Sequence, residues 1–484
     1  MRRFIEKELE SFDDTLFIRL MKIFTGAALV GILYAAVFSG FQIVDEFEHL
    51  HAAWLVSIGK VPYLDFFEHH HPLLWYLSAP IVRLFYDDVT VFYVMRAISF
   101  GVGLLTIWGL YKIVLFFGDK RAAWCAVALY LGHLITFYNF YQFRPDNFMN
   151  LCFVFGVYYW FLSLKYDNLR YLVYSFLWFA FSVLFLQKIS LLLIAVEGII
   201  LGLILCKKMK VKTVVLAALP AIGVIFMFFL YLSYKGALLQ YVELNFRFNQ
   251  AMVYYFERGA FWYPKIFFSL YGIAFLSAIY FYNKENLYFK IIALLYGAEF
   301  LMRAFYFAPH PNYYTLLTVL AAGILSVYVK RLMPKHKLIT LGVVFLMFLN
   351  LGNTFNTVDA SAQKHNSFTH YKLADYVHKN SASDDLLMNG YDMNFNVYRF
   401  DVSYYWFGLD MLLPVMETEY DIKGAVDINA LMLQHRPKFI YTKDYVDLMA
   451  LRTYGETKYS QRFIGELVEL LYKPTPFENL AVLK

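Results

Sequence analysis

Two adjacent acids, Asp45 and Glu46, stand just past the first long apolar stretch of the chain, residues 20–44. Charge at a membrane surface is scarce and tends to be functional. The pair opens a polar run, DEFEHLHAAWLVSIGKVPYLDFFEHHHPLLW, in which acids and histidines are set among aromatics. If a helix runs from 45 to about 58, then Asp45, Glu48 and His49 share one face. Pro62 ends that helix at the latest. Glu68, His69, His70, His71 and Pro72 follow. Carboxylates and imidazoles at this density can move protons or bind a metal. The plain alternative is a solvated loop without a role. Three consecutive histidines cannot all face one ion. One of them, with Glu68 and the distant His310, is the metal set to look for, and hydrogen bonding to an anion is the competing role.

Cations supply the other half of the pattern. Arg144, Pro145 and Asp146 close the third apolar segment, and Lys188 interrupts a nearly apolar run from 176 to 205. Arg303 and His310 flank the turn Ala308-Pro309-His310-Pro311. Each has an ordinary reading, as a snorkelling anchor or a turn residue. Together, Lys188 and Arg144 suit a phosphate, and nearby carboxylates suit activation of a hydroxyl. No glycine-rich phosphate loop occurs between the apolar segments, so a lipid-linked activated group is expected as the energy source rather than a nucleotide.

The elements that must carry these groups are membrane spans. Of 484 residues, 60% are hydrophobic and 17% charged, whereas soluble proteins are about 25% charged. Apolar segments long enough to cross fall near 20–44, 89–117, 122–141, 147–164, 170–186, 189–206, 213–233, 262–282, 287–307, 312–329 and 337–353, about eleven in all. Residues 72–86 read as an interfacial helix. Clusters such as Lys207, Lys208, Lys210 and Lys212 alternate with the spans, which puts the N-terminus in the cytoplasm. The first span then reads as an uncleaved anchor. The loops 45–88, 141–146, 187–188, 234–261 and 308–311 fall outside, and so does the tail after about 353. The net charge of +6 fits cationic cytoplasmic loops and gives no reason to expect nucleic acid. Cys125, Cys152 and Cys206 lie in or at apolar segments and suggest no disulfide framework. The expected organisation is a transmembrane domain over 1–353 and a soluble extracytoplasmic α/β domain over 354–484. In the second, strand-like runs at 385–388 and 438–441 alternate with helical patterns at 370–379 and 443–452. Tyr404 to Phe407 are expected in its core, with an aromatic contact at the membrane interface as the alternative.

These features resemble the GT-C type integral-membrane glycosyltransferases, in the lineage of protein O-mannosyltransferases and lipid A aminoarabinose transferases. Asp45-Glu46 stands where the family has its acidic first-loop motif. Phe67-Glu68-His69-His70-His71-Pro72 resembles the second first-loop motif. Arg144-Pro145-Asp146, Lys188 and the turn Pro309-His310-Pro311-Asn312-Tyr313-Tyr314 also look like family features. The likeness covers roughly 40–330. The histidine-rich motif departs from the more lysine-bearing form of the aminoarabinose enzymes.

The resemblance implies a polyprenyl-phosphate sugar as donor, a hydroxyl acceptor in lipid, glycan or protein, and inversion at the anomeric centre. On that pattern Asp45 is the base, with Asp146 and Glu46 as further acids. Lys188, Arg144, His71, His310 and Arg303 hold the donor phosphate. Glu48, His49 and Tyr313 contact substrate, and Glu68 with His310 would hold a divalent metal, the one cofactor the pattern admits. The aromatic loop Tyr254, Tyr255, Phe256, Trp262 and Tyr263 would cover a sugar or lipid tail, or form an interfacial belt. The expected location is a plasma (inner) membrane with the site on the extracytoplasmic face. A lipid-linked glycan transporter or a non-catalytic polyprenyl-phosphate-binding protein is the alternative. Transporters place their charges near the bilayer midplane; here they cluster at one face.

Overall fold

The computed structural model describes residues 14–40, 44–251, 262–305, 314–332, 337–364, 366–388, 397–405, 428–441, 465–477 and 480–484. His310, Tyr313, the aromatic residues 254–256, the side chains of Trp262 and Tyr263, the helical pattern at 443–452, and Trp406 and Phe407 lie outside them. Six described helices are long and apolar enough to cross a membrane: Thr15–Phe38, Val91–Val114, Pro145–Tyr166, Gln187–Leu205, Val211–Tyr234 and Leu338–Gln363. Shorter apolar helices cover Leu73–Leu84, Leu169–Phe185, Leu270–Tyr282 and Thr315–Leu325. The chain is thus a multi-pass helical membrane protein with a small sheet near its C-terminus.

Among the described residues, the expected span 312–329 divides at Ser326 into Thr315–Leu325 and Val327–Leu332, and two further expected spans are broken by side-chain caps. The segment 122–141 splits into Lys120–Leu131 and Leu134–Asn139, and 262–282 splits into Trp262–Phe267 and Leu270–Tyr282. The interruptions are capping residues. The His133 side chain accepts from the Ile135 N–H, and the Ser269 hydroxyl from the Tyr271 N–H. Each side chain satisfies a donor at a fresh helix start, so the helix restarts instead of continuing. Conversely, 337–353 is longer than the apolar pattern and runs Lys337–Lys364.

The chain divides into two compact units. The first holds residues 1–37, 96–227 and 258–363. Its central feature is a helical hairpin, Pro145–Tyr166 followed by Leu169–Phe185. Pro145 at the first helical position and Asp146 in the first turn suit a helix start. Asp167 ends the helix with φ 45°, and the Asn168 side chain caps the next by accepting from the Arg170 N–H. The two helices approach closely because residue 156 is glycine. A Cβ there would lie 2.4 Å from the Phe179 ring, and the Ser175 hydroxyl donates to the Gly156 carbonyl at 2.8 Å.

The second unit holds residues 38–95, 228–257 and 364–484. Helices Val44–Ser57 and Leu73–Leu84 are joined by a chain reversal in which Gly59 and Tyr63 both take positive φ, 90° and 72°. The C-terminal part forms a five-stranded sheet, β1 (Leu386–Met388), β2 (Phe400–Asp401), β3 (Phe439–Tyr441), β4 (Tyr472–Pro474) and β5 (Leu480–Leu483). The strand order is β2-β1-β3-β5-β4; the first three strands are parallel and the last two pair antiparallel. Leu373 and Val377 of helix Ser367–Lys379 pack on Leu387, Phe439 and Leu480. Met388, Met432, Ile440, Tyr472 and Ala481 form a second cluster. Tyr404 and Tyr405 are only half-buried. Their role is contact with the first loop: Tyr404 donates its hydroxyl to the Tyr63 carbonyl, and the Tyr405 ring meets Phe67.

Candidate active site

In the first unit the hairpin decides which charges meet. Arg144 stands at the N-cap of its first helix, and Lys188 lies three residues past its second, in the short turn Gln187–Ile189. An antiparallel pair with a two-residue connection returns the chain to where it began. The Lys188 ammonium therefore donates to Asp146 Oδ1 at 2.8 Å, and Arg144 reaches Asp146 Oδ2 at 3.5 Å. Arg303, in the last turn of Leu287–Phe305, donates through Nε to Glu299 Oε1 at 2.7 Å. Arg144 and Arg303 both act on the Lys188 charge through space. Arg144, Asp146, Glu299 and Arg303 are all buried. This group brings three cations and two carboxylates together. Buried charge is tolerated only when compensated, and the carboxylates Asp146 and Glu299 supply compensation here.

In the second unit helix Val44–Ser57 places Asp45, Glu48 and His49 along one face, as the spacing predicts. Glu46 lies one step round the helix and is buried. Loop 58–72 returns Glu68 and the three histidines to that face. His70 Nδ1 lies 3.1 Å from Glu48 Oε1 and 3.4 Å from Glu68 Oε2. The His69 N–H donates to Glu68 Oε2 at 3.1 Å. The Trp75 indole N–H donates to His49 Nδ1 at 3.2 Å, so His49 carries its own proton on Nε2 when neutral. His71 Nε2 bonds the Tyr241 hydroxyl at 2.8 Å. Glu48 and Glu68 are both fully buried. Burial, and then the Glu48 charge, push the Glu68 carboxyl well above the usual carboxylate range; Asp45 adds to the effect. Two carboxylates so placed require a shared proton or a cation between them.

One ligand atom from each of Glu48, Glu68, His69 and His70 lies within 4.8 Å of the other three. Carboxylate oxygen and imidazole nitrogen are a donor set that suits zinc or a similar divalent ion. Glu68 therefore sits in a metal-competent group, but with Glu48, His69 and His70. Its expected partner His310 is outside the described residues.

A sequence-family model described as dolichyl-phosphate-mannose-protein mannosyltransferase matches residues 69–234, less than half of the chain. No curated protein matches the chain in sequence. Among solved structures, ArnT from Cupriavidus metallidurans in the apo state is similar at 12% identity and a TM-score of 0.57, covering 78% of this chain and 83% of that one. ArnT of the same organism bound to undecaprenyl phosphate is similar at 13% identity and a TM-score of 0.52, covering 66% of this chain and 62% of that one. The chain thus spans less than two thirds of that longer structure. The archaeal oligosaccharyltransferase AglB from Archaeoglobus fulgidus, in complex with an inhibitory peptide and a dolichol-phosphate, gives 13% identity and a TM-score of 0.51, covering 98% and 75%. The chain has the GT-C fold.

Within this GT-C chain, three participants had no place among the expected site residues. Glu299 was legible as an acid one turn before Arg303. Tyr241 and Trp75 were not, because an aromatic in an apolar stretch carries no mark of the histidine it will face. His310 and Tyr313 fall outside the described residues, so the phosphate and substrate contacts expected of them have no counterpart here.

Proposed function

We propose that the chain is a glycosyltransferase that moves a sugar from a polyprenyl-phosphate donor to a hydroxyl acceptor, with inversion at the anomeric carbon. The observation that carries this reading is the convergence of three cations, Arg144, Lys188 and Arg303, around the buried carboxylates Asp146 and Glu299. A lipid-borne phosphate can reach such a site among apolar helices; a soluble nucleotide is poorly suited to it. The family match and the lipid phosphates in the names of the ArnT and AglB structures support the same donor class. The site faces the outside of a plasma (inner) membrane crossed about eleven times, with a cytoplasmic N-terminus and an external tail, as the alternation of cations supports.

In the reaction the acceptor oxygen attacks the anomeric carbon as the bond from that carbon to the phosphate oxygen breaks. The acceptor proton passes to a carboxylate, for which Asp45, half-buried at the start of its helix, is the candidate. Glu46, His49 and Glu48 lie on the same helix and suit acceptor contacts. The donor phosphate gains negative charge as it leaves, so cations that hold it more strongly at that stage accelerate the step. Lys188 donates to Asp146 Oδ1, which fixes its ammonium beside Arg144 as a charge for the phosphate. Asp146 orients Lys188 and Arg144. Glu48, Glu68, His69 and His70 would hold a divalent metal, which supplies fixed positive charge for an anionic group.

Mass spectrometry of lipid carried by the purified protein tests the reading. A polyprenyl phosphate is expected in the wild type and should be depleted in Lys188→Ala. Wild-type protein that carries no such lipid, and takes up none when polyprenyl phosphate is added, would sink the proposal.

A further inference from the structure

The loop 58–72 carries the acid–histidine group, yet it has no helix or strand of its own beyond one bridge between Pro62 and Phe66. Something else must hold it, because a site of this kind tolerates little misplacement. Its backbone is tied from several directions. The Phe67 N–H donates to the Tyr404 carbonyl at 2.9 Å, and the Tyr63 hydroxyl donates to the His70 carbonyl at 2.6 Å. The Asn249 amide donates to the His69 carbonyl at 2.7 Å.

The Asn249 contact has an unusual support. The helical stretch 238–251 contains a π-helical turn, Glu243–Phe248, and Asn249 is the residue immediately after it. Such turns are rare, insert an extra residue into a helix, and often occur at functional sites. Here the Asn249 backbone N–H bonds the Phe246 carbonyl. The side-chain amide takes the Asn245 carbonyl at 2.9 Å. The NH2 group thus divides its two protons between its own helix, where it also approaches the Leu244 carbonyl at 3.5 Å, and the His69 carbonyl of the loop. The preceding residue works on the same loop: the Phe248 ring meets His69 edge-on at 5.4 Å and Phe67 at 5.5 Å. Phe248 and Asn245 are both buried.

We propose that Asn249, delivered by the π-helical turn 243–248, is a positioning residue that fixes the His69–His70 backbone and so sets the geometry of the Glu48–Glu68–His69–His70 group. The proposal rests on the reading of that group as a divalent-metal site. Asn249 touches no ligand atom. It acts through the His69 carbonyl, as outer partners orient the first ligands of a metal.

The test uses the full chain in lipid nanodiscs, with Co2+ as an optical probe and amide hydrogen exchange as a metal-free readout. Wild type should bind Co2+ with visible absorption bands, and Glu68→Gln should abolish them. Asn249→Ala should weaken Co2+ binding on the order of 10- to 100-fold, as is typical for loss of an outer partner, and shift the bands. It should also raise exchange across 66–72 in metal-free protein. Asn249→Gln keeps the donor and should recover part of both. An Asn249→Ala protein that melts like wild type, with unchanged bands and unchanged exchange at 66–72, overturns the proposal. If wild type binds no Co2+, the metal reading fails on its own, and exchange at 66–72 in the two Asn249 variants still decides the positioning role. If Asn249→Ala does not fold, Asn249→Asp, which keeps the size and removes the NH2 donor, carries the comparison: shifted bands with raised exchange at 66–72 support the positioning role, and a wild-type spectrum with wild-type exchange overturns it.

Discussion

Lys188 shows how one side chain joins two tasks. Its ammonium neutralises Asp146 at 2.8 Å while Arg144 and Arg303 keep the surroundings positive. Lys188→Ala removes a charge-assisted hydrogen bond, worth roughly 1.5–3 kcal/mol. Donor affinity should fall at least tenfold in a titration with a polyprenyl-phosphate sugar. Part of the loss should appear in turnover as well, since charge on the phosphate rises during reaction. Lys188→Arg should rescue only partly, because the planar guanidinium is larger and needs a different geometry around Asp146. Asp45→Asn tests the base. It keeps the size and removes the proton acceptor, so turnover should drop on the order of 10²-fold with donor affinity nearly unchanged. Turnover at the wild-type rate would remove Asp45 from the mechanism.

At the scale of elements, the hairpin Pro145–Tyr166 and Leu169–Phe185 is the device that brings Lys188 to Asp146. Its closeness depends on Gly156 against the buried Phe179. Gly156→Ala would push a methyl into that ring and part the helices, at a cost of roughly 1–3 kcal/mol. A lower melting temperature is expected, together with weaker donor binding, since the charged pair sits at the open end of the same hairpin. Adding Phe179→Leu should restore both by making room; a double variant no better than Gly156→Ala would show that this contact does not govern the site.

For the whole molecule the tail is more than an appendage, because its second unit also contains the first loop. Arg399, fully buried, donates to Asp87 at 2.7 Å and to the His378 and Ser381 carbonyls. His378 lies beside it, 3.5 Å from Asp87. Burial, and then the Arg399 charge, lower the His378 imidazole to about 4. The unfolded chain takes up a proton there near the ordinary value of about 6.5. The folded chain refuses it until about 4, so stability is full above the first value and is lost as pH falls between the two. The melting temperature should decline from pH 7 to pH 4.5, and His378→Asn should flatten that decline. An unchanged slope in the variant would place the acid sensitivity elsewhere.

Much of this architecture was legible without coordinates, for a simple reason. A lipid environment demands long apolar helices and makes every charge conspicuous, so the multi-pass helical class, the helix from Asp45, the helical hairpin and the isolation of Lys188 could be read from residue order. The strands at 386–388 and 439–441 were also legible, because apolar runs in a polar tail have few other uses. Local patterns did not reveal the breaks at His133 and Ser269, where a side-chain cap outweighs apolar continuity. Nor did they show which partners distant residues would choose. Glu48 meets Glu68 and His70, His71 meets Tyr241, Asn249 holds His69, and Tyr404 holds Phe67. Residue types and spacing determined what chemistry the chain carries. Only the tertiary structure decided which acid faces which histidine, because that depends on where buried polar groups, brought together from remote segments, find partners that repay their loss of water.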